Sequence, residues 1–213
     1  MNNYPINSEL RCYVEASVLP LYDAFDRGHN REHVCRVIAE SLELAQNYNV
    51  DVNRVYTIAA YHDAGMARGR DLHHIYSAEL LAHDTNLLRW FSPDDLQQMA
   101  EAIEDHRASG KHPPRSIYGA IVAEADRDLC PDIVLRRTMQ FGMNRYPDRP
   151  FEFHLQRTIE HLHEKYAAGG YLKLWLHSPK NERGLTELRA IIANPAELER
   201  RCRAIYENIK PRQ

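Results

Sequence analysis

The sequence predicts an all-α protein on three observations. Apolar residues recur at helical spacing in most segments, capping residues or Pro precede several of the apolar runs, and no segment alternates apolar and polar residues as a strand would. A chain of 213 residues with 44% hydrophobic and 27% charged residues can bury a sizeable core. Length alone allows one large helical domain or two small ones; the pattern is read as one compact domain, 1–213.

The elements follow in order. From Arg31 to Tyr48, Val34, Val37, Ile38, Leu42, Ala45 and Tyr48 mark an amphipathic helix that carries His33. A second helix is expected to start with Asn53 as N-cap and to run through Val55, Ile58, Ala59 and His62, ending before Gly65. Met66 to Leu72 reads as a loop and Ile75 to His83 as a helix. Ser92-Pro-Asp-Asp then opens another, with a cap, a first-turn proline and two acids that complement the helix dipole, reaching about His106. Ser116 to Leu129 resumes the helical stripe, with Asp126 beside it. Asp132 to Met143 and Phe151 to Ala167 are two more helices, and Gly169-Gly170 ends the second. Leu185 to Ile209 closes the chain, interrupted at Asn194-Pro195.

Charge and targeting signals exclude several classes. A net charge of -3, with Lys and Arg spread along the chain, leaves no electrostatic footprint for a nucleic-acid polymer. No apolar run is long enough to span a membrane, and MNNYPINSELRCYVEASVLPLYDAF has no signal-peptide pattern, so a cytoplasmic protein is expected. Cys12, Cys35, Cys130 and Cys202 form no CxxC pair and are expected to be reduced, buried thiols. Oligomeric state is not legible.

His62-Asp63 is the focus of the chemistry. A neutral imidazole and a carboxylate together suit Mn, Fe, Co, Ni, Zn or Mg rather than a thiolate-selected metal. Alone the dipeptide is an ordinary structural pair. It stands, however, among His33, His73 or His74, His106 and Asp126, each on or at the end of an expected helix. Helices converging in a bundle build mono- or dinuclear metal sites in this way.

The ordered set resembles the HD superfamily of metal-dependent phosphohydrolases over roughly 29–130. His29-Asn-Arg-Glu-His33-Val-Cys-Arg-Val is similar to the family's first motif and assigns the metal to His33 rather than His29. Ala59-Ala-Tyr-His62-Asp63-Ala-Gly and Glu124-Ala-Asp126-Arg127 resemble the second and last motifs. His73-His74-Ile-Tyr-Ser-Ala-Glu-Leu-Leu and Asp105-His106-Arg107 are similar to the extra histidines of dinuclear members. An ungapped match places His73 at the ligand position and Ser77 at the small residue, with His74 the alternative. No Gly-Tyr-Pro follows His106, which disfavours the cyclic-dinucleotide phosphodiesterase branch. Glu104-Asp-His-Arg-Ala-Ser, Arg115-Ser-Ile-Tyr-Gly and the segment from Glu164 to Trp175 look like an uncharacterised bacterial branch of HD proteins.

This resemblance implies a metal core over 29–130 and a helical extension, 131–213, that completes the pocket. It implies one or two divalent ions: His33, His62, Asp63 and Asp126 would hold the first, and His73 or His74 with His106 the second, bridged by Asp63. The expected function is phosphate-ester hydrolysis of a small phosphorylated metabolite or nucleotide, with Asp63, His106 and Arg107 as catalytic candidates. Arg68, Arg70, Lys111, Arg115 and Lys165 are candidate phosphate-binding cations. The competing readings are a diiron oxygenase of the same superfamily and a non-catalytic ligand-binding module; the latter ranks last because no ligand position is lost.

Overall fold

A computed structural model describes residues 5–25, 28–107 and 112–209. Side-chain caps set most helix starts. Asn7 accepts the amides of Glu9 and Leu10 and opens α1 (Ser8–Ser17); Asn30 accepts the His33 amide and opens α2 (Arg31–Ala45). Asp51, rather than Asn53, caps α3 (Val52–Tyr61), because its carboxylate accepts the Asn53 amide. The Asn53 side chain instead accepts the amide of Asn7.

α4 (His73–Ala82) begins two residues before the expected Ile75. Ser92 opens α5 (Pro93–Glu104) with a reciprocal capping box in which Asp95 accepts the Ser92 amide. α6 (Ile117–Asp126) stops three residues short of Leu129. Short 3-10 turns, Leu19–Ala24, Ala64–Arg68 and Thr85–Arg89, link the early helices.

α1 to α6 form a first compact unit, Met1–Asp126, and the remaining helices a second, Arg127–Gln213. The second holds α7 (Pro131–Arg145), α8 (Phe151–Tyr166), α9 (Pro179–Ile192, capped by Ser178) and α10 (Pro195–Ile209). No strand occurs among the described residues, as the sequence predicts. No described helix is long and apolar enough to cross a membrane.

In the first unit, Val34 and Val37 of α2, Ile58 and Ala59 of α3, Ile103 of α5 and Val122 of α6 share one buried cluster. α3 lies between α2 and α5, and α4 packs against α5. Burial of the cysteines holds for Cys202 alone; Cys12, Cys35 and Cys130 are exposed. α1, which the apolar pattern did not single out, accounts for Cys12: Leu10 and Val14 make its buried face, and Cys12 falls on the other.

Candidate metal centre

The C-terminal end of α3 is fixed from below by a buried tyrosine. Tyr22 donates its hydroxyl to the Ala60 carbonyl at 2.8 Å and accepts the Asp63 amide at 3.2 Å. The carbonyl is one that a helix end leaves without a backbone partner, and the amide belongs to the residue that opens the next 3-10 turn, so one side chain serves both. His62 is fully buried and Asp63 nearly so.

Three imidazoles are oriented by the same local device. His62 Nδ1 lies 2.8 Å from the Ala59 carbonyl, His73 Nδ1 2.7 Å from that of Arg70, and His106 Nδ1 2.6 Å from that of Ile103. A carbonyl only accepts, so each Nδ1 carries the proton, and in the neutral ring Nε2 presents its lone pair. His33 differs. Its Nδ1 faces the guanidinium of Arg36 at 3.3 Å.

The Nε2 atoms converge on Asp63 in two groups. Asp63 Oδ2 lies 3.2 Å from His62 Nε2 and 3.4 Å from His33 Nε2, and the two ring nitrogens are 3.2 Å apart. Asp126 Oδ1 approaches the same pair, at 3.2 Å from His33 and 3.8 Å from His62. On the other side, Asp63 Oδ1 lies 3.2 Å from His73 Nε2 and 3.5 Å from His106 Nε2, which are 3.1 Å from each other. His33, His62 and Asp63, and Asp63, His73 and His106, are thus two metal-capable groups with one shared carboxylate.

The second group gives the plainest test of fit. Asp63 Oδ1 is buried and accepts no hydrogen bond. It faces two imidazole nitrogens whose protons are spent on carbonyls elsewhere, so three electron pairs meet with no donor among them. Such an arrangement is unfavourable without a cation and matches the N and O preferences of a divalent metal. The side chain of Asp126 is 30% exposed, against 4% for Asp63 and 0% for His62. The cluster therefore opens to solvent beside Asp126.

The electrostatics agree with a centre built for positive charge. Burial pushes the His33 imidazole down, but the carboxylates of Asp126 and Asp63 outweigh it and raise the group to about 9. His62 is likewise raised by Asp63 against its own burial. Burial would raise Asp63 and Asp126; the surrounding histidines instead hold both below the ordinary carboxylate range. His73 is lowered, by burial and then by His106.

Other sequence candidates fall differently. His74 belongs to neither group; its ring centre is 5.6 Å from that of His73, and burial and Arg107 lower it to about 4. His29 stands edge-on to His33 with ring centres 6.0 Å apart, outside both groups. Arg107 donates to the Asp71 carbonyl at 2.7 Å, bracing the loop before His73. Arg70 supplies the carbonyl that orients His73.

Arg68 pairs with Glu79 at 2.6 Å and lies over the Tyr76 ring. Arg115 is gripped by Asp105, by Glu104 and by the Glu101 carbonyl, so its guanidinium ties the segment before α6 to the end of α5. Lys165 lies in the second unit with its ammonium over Tyr166, and Lys111 falls outside the described residues. Sequence reasoning missed Tyr22, whose partners are backbone atoms and leave no trace in residue pattern. It also gave no role to Arg36, although that residue sits three positions after His33.

Residues 30–128 match the family model of the HD domain. This stretch is an HD domain. No curated protein and no solved structure matches the chain. HD domains are all-α, bind divalent metals and define a superfamily of metal-dependent phosphohydrolases. Within the HD domain lie all the residues of both groups, from His33 to His106, and Asp126 beside them.

Proposed function

We propose that this protein is a metal-dependent phosphohydrolase acting on a small phosphorylated metabolite or nucleotide. One observation carries the reading: the two oxygens of Asp63 each face their own pair of histidine nitrogens, at 3.2 to 3.5 Å. In this reading His33, His62, Asp63 and Asp126 hold one ion, and Asp63, His73 and His106 a second. Bound divalent ions neutralise phosphate oxygens and make a bound water nucleophilic near neutral pH.

The chain's own groups prepare the rest. Imidazoles locked through Nδ1 lose little orientational freedom on meeting a cation, which favours a preformed centre. Asp126, as the partly exposed ligand, marks the side on which the ester enters. Arg107 and Arg70, adjacent to His106 and three residues before His73, are the cations proposed to meet phosphate. Arg68 and Arg115 are engaged by carboxylates and fit that role less well.

Because Asp63 serves both groups, Asp63→Ala should remove both bound ions and all phosphatase activity while leaving the helical signal intact. His62→Ala and His73→Ala should each remove one. Elemental analysis after loading with Mn, combined with a metabolite phosphatase screen in Mn, Co, Ni, Mg and Fe, measures this. Unchanged metal content in Asp63→Ala would sink the site; two irons with O2 consumption and no phosphatase activity would favour the oxygenase reading.

A further inference from the structure

α3 gives up its hydrogen-bond ladder at the metal dipeptide. His62 still has helical angles, φ -51° and ψ -38°, whereas Asp63 turns out to φ -113° and ψ 5° and opens the next 3-10 turn. In a continuing helix the Asp63 amide would donate to the Ala59 carbonyl, and the Ala60 carbonyl would accept the Ala64 amide. Both bonds are diverted. The Ala59 carbonyl faces His62 Nδ1 at 2.8 Å. The Tyr22 hydroxyl stands between the other two groups, donating to the Ala60 carbonyl at 2.8 Å and accepting the Asp63 amide at 3.2 Å.

A phenol can do this because its oxygen both donates and accepts. A side chain inserted into a helical ladder bends or ends the helix at that point. Residues 59–64 hold neither Gly nor Pro, so nothing in that stretch breaks α3 by itself. The stop comes from outside. Tyr22 belongs to the 3-10 turn Leu19–Ala24, is fully buried, and packs edge-on against Phe25 with ring centres 5.4 Å apart.

The peptide unit that Tyr22 pins joins His62 to Asp63. Turning Asp63 off the helix leaves Oδ2 facing His33 and His62 and Oδ1 facing His73 and His106. We propose that Tyr22 is a positioning residue for the shared carboxylate, its hydroxyl ending α3 at His62 and fixing the Asp63 backbone before any ion arrives. Without it the Asp63 amide would turn back to the Ala59 or Ala60 carbonyl, winding Asp63 into the helix and rotating its carboxylate away from both pairs.

This rests on the metal-centre reading above and is tested apart from it. Metal-stripped protein is titrated with Mn2+ by calorimetry at a temperature where every variant is folded, with His33→Ala and His73→Ala identifying which binding event belongs to which group. Tyr22→Phe, which deletes one oxygen, should weaken both events together by roughly 10- to 100-fold, the usual effect of losing a group that orients a ligand. Tyr13→Phe is the structural control. It removes a hydroxyl that donates to Asp84 in the same unit, so it should lower the melting temperature of the stripped protein and leave both events unchanged.

Wild-type affinities in Tyr22→Phe, a loss confined to one event, or an equal loss in Tyr13→Phe each overturn the proposal. If Tyr22→Phe does not fold, hydrogen exchange of the wild-type protein decides: an Asp63 amide already protected without metal supports it, and protection that appears only with Mn2+ overturns it. Wild-type protein that takes up no Mn2+ overturns the metal centre itself, a different result.

Discussion

Gly65 sits two residues beyond Asp63, and its amide donates to Ser77 Oγ at 2.9 Å. A Cβ there would lie 2.4 Å from the Ser77 amide nitrogen and 2.6 Å from the Tyr76 carbonyl carbon. Neither is a flexible group, so α4 would have to move. That contact lets the α4 helix, which begins at His73, approach the carboxylate. Gly65→Ala should destabilise the fold by about 2 kcal/mol or more. It should also lose the ion held by His73 and His106 before the one held by His33 and His62, checked by urea unfolding and by metal counting at limiting Mn.

The small residues after His62-Asp63 are readable in the sequence, but the choice between His73 and His74 is not. Adjacent helical residues point about 100° apart, so the choice depends on where α4 starts and on its phase. Arg115 misleads for a related reason. Its partners Asp105 and Glu104 lie ten and eleven positions away, and a surface arginine looks the same in sequence whether paired or free.

At the scale of elements, Asp84 ties three segments together. The hydroxyls of Tyr13 in α1 and of Tyr61 in α3, the latter at 2.5 Å, both donate to Asp84 Oδ2, and the Asn86 amide donates to Oδ1 at 3.1 Å. Burial alone would raise this carboxyl; the tyrosine and asparagine donors instead lower it from its ordinary 3.8. A lowered folded value means the contribution is complete above about pH 4 and disappears as pH falls through that lower value. Asp84→Asn should therefore lose about 1 kcal/mol near neutral pH, allowing for partial solvent exposure. The gap to wild type should close in strong acid, as thermal melts of metal-stripped protein across pH would report.

Caps such as Ser92 and the 3-4 spacing of α2 were legible because they are local. α1 escaped because only Leu10 and Val14 of its ten residues are buried. The α6 terminus was overextended because the arginine that closes it comes from α2, far away in sequence.

For the molecule as a whole, every proposed metal ligand lies between His33 and Asp126, inside the first unit. Metal binding should therefore stabilise that unit and leave the second to melt as it does in chelator. An ion supplied at a hundred times its Kd adds about 2.7 kcal/mol. At roughly 3–5 °C per kcal/mol for a unit the size of Met1–Asp126, each ion should raise that unit's melting point by about 8–13 °C. Calorimetric scans with Mn2+ and with EDTA would show the effect, and a uniform upward shift of the whole profile would contradict it. Apolar spacing and the lack of strand alternation foretold an all-α chain, but charge and length carry no information on how a chain divides.

His62, His73 and His106 each share their orientation with a carbonyl only three residues away, so ring and support travel together as a four-residue cassette. Helix docking can then shift a cassette bodily without turning its imidazole. The directional part of the centre is written into short stretches of chain before any long-range contact forms, and tertiary folding has only to bring the ends within range.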